Sequence, residues 1–261
     1  MKRSFLREIY RQYETGGLRT LIQTSFDYII LKGLALLDAK DITNKYYRLC
    51  SSKDICDYKH SPNPFKIART NPEKIVNRTG RRHPILNRRR QFGSVKSGDW
   101  DQYVEDFDSS IFFESWREHF KNGVSWDETQ HYKNIINRYE NGDDVSFWFE
   151  SVEQINEEFE KYDNLYANIR DDGYQSQKEL KSRSDGLYPY YLNEVAVDVA
   201  RDGELLLADG MHRLAIAKLL DIDHIPIVFL VRHEKWMIRR ERILESNDNI
   251  EHPDLLDIGQ H

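Results

Sequence analysis

Val195-Ala196-Val197-Asp198-Val199-Ala200-Arg201-Asp202-Gly203-Glu204-Leu205-Leu206-Leu207-Ala208-Asp209-Gly210-Met211-His212-Arg213-Leu214-Ala215 is the stretch on which the fold turns. Valines alternating with Ala and Asp read as a strand. Arg201-Asp202-Gly203-Glu204 reads as a hairpin turn, with Asp-Gly as its signal. Leu205, Leu206 and Leu207 make the return strand. Asp209-Gly210 closes that strand, and Leu214, Ala215, Ala217, Lys218 and Leu219 are helix formers. Ile225-Pro226-Ile227-Val228-Phe229-Leu230-Val231 then reads as a buried strand with Pro near its start. Glu234 to Leu244 reads as a helix, and the tail beyond Asn247 is expected to fray.

Upstream the pattern is helical. Ile111, Phe112, Trp116 and Phe120 fit one helix, and Thr129 to Tyr139 fits another, ended by Asn141-Gly142. Ser151 with Gln154 three residues on is a capping-box pattern. The helix it opens carries Ile155, Phe159, Tyr162, Leu165, Tyr166 and Ile169 and stops near Gly173. Residues 57–98 read as irregular, because Pro62, Pro64, Pro72 and Pro84 fall there. The fold class is therefore α+β, a small mixed sheet with helices preceded by a mainly helical region. The divisions are 1–56, an amphipathic helical segment; 57–98, a basic Pro-containing connector; 99–150, an acidic helical region; 151–246, the C-terminal domain; and 247–261, a tail.

The N-terminal segment shows Phe5, Leu6, Ile9, Tyr10 and Tyr13 at helical spacing, then a Gly16-Gly17 break and a second stripe from Leu18 to Leu37. Asp27 and Lys32 interrupt that stripe, so no spanning helix is expected. One reading lays residues 1–40 on a membrane, with Lys2, Arg3, Arg7, Arg11 and Arg19 toward anionic lipid. The plainer one packs them on the body or on a partner.

The chain has 261 residues, of which 31% are charged and 39% hydrophobic, with a net charge of −6. That excludes a multi-span membrane protein and a globally basic nucleic-acid binder. The average hides a segregation. Residues 66–98 carry ten Lys and Arg against one acidic residue, and residues 99–172 carry six against 20. Arg81, Arg82, Arg88, Arg89 and Arg90 could meet phosphates of DNA or lipid. They could equally pair with the acidic block. Asp99 and Asp101 are a candidate metal pair, without a third ligand. Cys50 and Cys56 are too few for a disulfide framework or a zinc site, and free thiols in a reducing compartment are expected. No secretory signal is visible, so the expected location is cytoplasmic, with a peripheral membrane position as the alternative.

The sharpest chemical feature is the corner at Asp209-Gly210-Met211-His212-Arg213. Gly permits a tight turn and close approach of a ligand. The free N–H groups at a helix start favour an anion, and Arg grips phosphate bidentately. The corner reads as a phosphate cradle. An ordinary strand–helix corner whose Arg pairs with a nearby carboxylate is the bland alternative.

Asp209-Gly210-Met211-His212-Arg213, with Ala215, Ile222 and Ile225-Pro226-Ile227-Val228, resembles the ParB/sulfiredoxin superfamily over about residues 150–233. Its pattern is an acidic residue or Gly, then Gly-x-His-Arg, a helix with small residues and an Ile-Pro-Val strand. Leu165 to Gln175 looks like that family's first box, a helix ending in a Gly before its substrate loop. The resemblance implies a nucleotide site for ATP or CTP, with Mg²⁺ expected. Gly210, Met211, His212 and Arg213 would contact phosphates. Gly173, Tyr174, Gln175, Ser176 and Gln177 would line the nucleotide or substrate side. Met211 stands where sulfiredoxins carry the catalytic Cys, so sulfinic-acid reduction is disfavoured. No helix-turn-helix region follows, which weakens a partition-protein reading.

The function expected is nucleotide binding, extended to an ATP- or ADP-dependent phosphotransferase acting on a small hydroxyl compound. Asp209 is the first candidate for the base, then Glu194 or Asp198, with His212 also assigned to catalysis. Asp209 as a helix N-cap and His212 as a loop hydrogen bonder are the structural alternatives. The alternatives for the whole chain are a nucleotide-gated DNA-binding protein of the ParB type and a membrane-surface accessory protein.

Overall fold

The computed structural model describes residues 57–81, 91–143, 149–180, 194–246 and 250–256, together with Leu18, Ile22 and Ile55. The molecule is mixed α and β. Its strands are β1 (Ile67–Thr70), β2 (Asn77–Thr79), β3 (Ser94–Lys96), β4 (Val104–Asp106), β5 (Val195–Val199), β6 (Leu205–Asp209) and β7 (Ile225–His233). Its helices are α1 (Ile111–Asn122), α2 (Gln130–Glu140), α3 (Val152–Asp172), the short α4 (Gln177–Leu180), α5 (Met211–Leu219) and α6 (Glu234–Ser246).

β5 and β7 are the centre of the sheet. Every residue of both is buried, as a run apolar on both faces requires. The sheet order is β1-β7-β5-β6-β2-β4, and β3 also pairs with β7. β5 runs parallel to β7 and antiparallel to β6, through the expected hairpin. Gly203 at that turn has φ +100, and a Cβ there would lie 2.6 Å from the Trp236 ring. One face carries Val195, Val197, Leu205, Leu207, Ile227 and Phe229 against Trp116, Phe159 and Leu214 of the helices. The other face carries Ala196, Val228 and Leu230 under Phe65 and Phe92. Each fully buried Val, Leu, Ile or Phe contributes about 1.5–3 kcal/mol, so this sandwich is the main source of stability.

The helices begin and end where local signals place them. The Ser151 hydroxyl accepts from the Gln154 N–H at 3.3 Å, and the Gln154 side chain accepts from the Glu150 N–H at 2.8 Å. Gly173 ends α3 at φ 79. Ser110 caps α1, and Gly123 ends it in the left-handed region.

Three sequence expectations differ from what is found. Residues 57–98 carry β1, β2 and β3 instead of an irregular connector, and 99–150 carries β4. β1 pairs with β7 and β2 with β6, so these segments share the C-terminal sheet. The strands are only three or four residues long, and partners far along the chain make them. Asp99 and Asp101 are not a metal pair, because Arg201 takes both, at 2.8 and 2.6 Å. Burial pushes the Asp101 carboxyl up, but Arg201 and His233 outweigh it and hold it at about 2. The tail is not frayed over 250–256. Asp254 is fully buried and accepts from Arg232, at 2.6 Å, and from the Trp236 indole, at 2.9 Å. Apart from Leu18 and Ile22, the amphipathic reading of residues 1–40 lies outside the described residues. Among the described residues no helix is long and apolar enough to cross a membrane.

Candidate functional site

β6 ends at Asp209, which lies opposite Ala196, and the β5–β6 register shifts just beyond it, between Ala196 and Val197. Gly210 then takes φ 87 and ψ 29. A Cβ there would sit 3.0 Å from the Val195 Cα. Both the conformation and the space therefore call for glycine. α5 starts at the next residue with no side chain capping it, and the Leu214 N–H reaches the Gly210 carbonyl at 3.0 Å. The Asp209 carboxylate accepts from the Gly210 N–H at 2.7 Å, so it is not the N-cap of the helix. Among the described residues no acceptor is shown for the amides of the first turn of α5.

Arg213 stands in that first turn. Its Nε donates to the Tyr174 hydroxyl at 3.1 Å, and a second nitrogen donates to the Gln175 carbonyl. The guanidinium lies over the Tyr174 ring, 4.5 Å from its centre. Burial pushes the Tyr174 phenol up to about 12, with Arg213 pulling the other way. Among the described residues two of five guanidinium donors are used, which leaves the group positioned and still able to bind an anion.

Glu194 directly precedes β5 and is 1% exposed. Its Oε1 accepts from the Gln177 N–H at 2.6 Å, while among the described residues its Oε2 has no partner. Burial raises its pKa, against the hydrogen bond from Gln177 and the charges of Arg213 and Arg69, while Glu179 adds to the rise. An orphaned carboxylate oxygen at this depth costs free energy, on the order of 1–3 kcal/mol. It is also the atom best prepared to take a proton.

The structure thus brings Glu194, Gly210, Arg213, Tyr174, Gln175 and Gln177 together. Residues 174–177 strap across the sheet end, bonded to Arg213 on one side and Glu194 on the other. Ser176 turns to Glu179 instead, donating to its carboxylate at 2.7 Å through both N–H and hydroxyl. Gly173 serves as the end of α3. The Met211 side chain packs against the helical core.

The His212 side chain is held elsewhere. Its ring stacks against both Tyr162, at 4.4 Å, and Trp116, at 5.4 Å, which also touch each other, with Phe112 at 5.5 Å. Burial lowers its pKa to about 4, with only Glu158 opposing. The ring is neutral at pH 7 and brings no charge to a phosphate, so His212 offers the site its backbone amide. Asp198 forms a buried pair with Arg81, at 2.9 and 3.0 Å, and accepts from the Val231 N–H. Arg81 is therefore committed inside the protein, and Arg82, Arg88, Arg89 and Arg90 lie outside the described residues.

Sequence reasoning missed Arg69. No motif marks it, and only the pairing of β1 with β7 carries it to this end of the sheet. Among the described residues no group of three His, Cys, Asp or Glu could hold a metal ion. A Mg²⁺ that arrives with phosphates needs only one or two carboxylates, and among the described residues Asp209 and Glu194 flank the helix start. No family model, curated protein or solved structure matches this chain.

Proposed function

We propose that the start of α5 binds a phosphate of a nucleotide, ATP or CTP class, and that the protein transfers a phosphoryl group to a small hydroxyl compound. The observation that carries this reading is the unpartnered Oε2 of Glu194, buried beside Arg213 and the uncapped helix start.

Gly210 lets the phosphate approach the backbone. The first amides of α5 and the free donors of Arg213 take up its charge, in line with the macrodipole. Glu194, its affinity for protons raised by burial, accepts the proton of the attacking hydroxyl. The new O–P bond forms as the bridging P–O bond breaks, and the leaving nucleotide oxygen keeps that electron pair. Phosphoryl transfer asks mainly for such positioning and charge neutralisation. A Mg²⁺ at Asp209 would neutralise further phosphate charge.

Cytoplasmic location accords with this reading. The resemblance to the ParB/sulfiredoxin superfamily supports it at Gly210, Arg213 and the 173–177 strap. Of the five arginines on which the DNA-binding alternative rests, Arg81 is paired with Asp198 and the other four lie outside the described residues. The membrane-surface alternative rests on residues outside those described. The test is nucleotide turnover with a panel of small hydroxyl compounds. Arg213→Ala and Glu194→Gln should each remove transfer by about 10²-fold or more. Turnover unchanged by both substitutions refutes the proposal.

A further inference from the structure

Arg69 sits opposite Pro226 in the β1–β7 pairing, and Val195 sits opposite Ile227 in the β5–β7 pairing. Glu194, one residue before Val195, therefore shares a row with Pro226 and Arg69. Two strand spacings separate the outer members, about 10 Å between backbones. Arg69 alternates with Ala68, which packs into the cluster under the helices, so its side chain rises on the opposite face. Glu194 alternates with Val195 of that same cluster and shares the face of Arg69. Arg69 is exposed, while its neighbours Ala68 and Thr70 are buried.

Among the described residues the Arg69 side chain makes no hydrogen bond or ion pair, and its charge is felt at Glu194. Arg213 approaches the same carboxyl from the helix side. Glu194 thus lies between two arginines carried by different parts of the chain, one of them held by Tyr174 and the other free to extend. A single phosphate at the helix start occupies the donors of Arg213 and α5 and leaves Arg69 out of use.

We propose that Arg69 holds a second phosphate of the same ligand, so that the site selects diphosphates and triphosphates over monophosphates. This rests on the phosphate reading of the α5 start. Arg69 extends the site into the N-terminal part of the sheet, which the family resemblance does not cover.

The test uses the full chain with inorganic phosphate and inorganic pyrophosphate as probes, titrated by calorimetry. Wild-type protein should bind pyrophosphate more tightly than phosphate. Arg69→Ala should weaken pyrophosphate by about tenfold, one charge-assisted contact, and leave phosphate within about twofold. Arg69→Lys should recover part of the loss. Arg213→Ala should weaken both probes. If pyrophosphate binds no better than phosphate, or Arg69→Ala affects the two equally, the role of Arg69 is overturned while the helix-start site stands. If Arg213→Ala leaves both affinities unchanged, or wild type binds neither probe, the helix-start site itself falls and Arg69 with it. Arg69 is exposed, and a thermal melt of each variant checks that the fold is intact.

Discussion

Glu194→Gln should make this protein more stable and less active. The side chain is 1% exposed, with one oxygen bonded to the Gln177 N–H and the other without a partner. Gln keeps the shape and the acceptor, and removes the buried charge. The relief comes from the charge alone, since the Gln amide nitrogen is as unpartnered as Oε2, and it is on the order of 1 kcal/mol at pH 7. For a chain of this size each kcal/mol moves the melting temperature by about 2–4 °C, so a rise of a few degrees is expected. The pH dependence gives the sign. Burial raises the folded pKa of Glu194 above its ordinary 4.5. Between the unfolded and folded values the native state holds more protons, so wild-type stability falls as pH rises through that window. The advantage of Glu194→Gln should be small below pH 4.5, grow as pH rises and level off above the folded pKa. Melting curves of the two proteins from pH 4 to 8 measure this. A structural carboxylate would behave in the opposite way, and a variant less stable than wild type at pH 7 refutes the reasoning.

Acid should weaken the fold through two other groups. Burial lowers the pKa of His131 and of His212 from 6.5 to about 4, and each must gain a proton as the chain unfolds in acid. The unfolded state binds more protons between those values, so stability falls as pH drops from 6.5 toward 4, by about 2 kcal/mol per histidine at pH 5. Melts at pH 7 and 5 should show a smaller drop in His131→Phe than in wild type; an equal drop excludes His131 from the effect. Asp254→Asn should cost about 3–5 kcal/mol, because it strands the buried Arg232 guanidinium beside a neutral group. Chemical denaturation reads this directly, and a loss below about 1 kcal/mol would show that 250–256 is a dispensable tail.

β5, β6, α5, β7 and the ends of α3 were legible because their signals are local. Alternating valines, Asp202-Gly203, Asp209-Gly210 and Ser151 with Gln154 each specify geometry within a few residues. β1 to β4 were not, since a strand of three or four half-exposed residues takes its identity from its partner. The Arg81–Asp198 pair joins residues 117 apart, and nothing near either announces the other. The tail was misread because one carboxylate in a polar segment gives no hint that two arginines and an indole await it.

The candidate site divides in the same way. Gly210 and Arg213 are marked by the local strand–helix corner, and the 173–177 strap is named only by the family resemblance. The order of the carboxylates is marked by neither, because burial decides it. Asp209 is partly exposed with its carboxylate on the Gly210 amide, whereas Glu194 is sealed with an oxygen unpaired. His212 belongs by position to the helix start, yet α1 and α3 supply the aromatic rings that claim its side chain.

The central claim is that the first turn of α5 is a phosphate site. Calorimetric titration of ATP, ADP, CTP and inorganic phosphate into the full chain, with and without Mg²⁺, tests it most directly. Saturable binding of at least one nucleotide, lost in Arg213→Ala and retained in Glu194→Gln, is the result the account predicts. No binding by wild type, or binding that Arg213→Ala leaves intact, would contradict it.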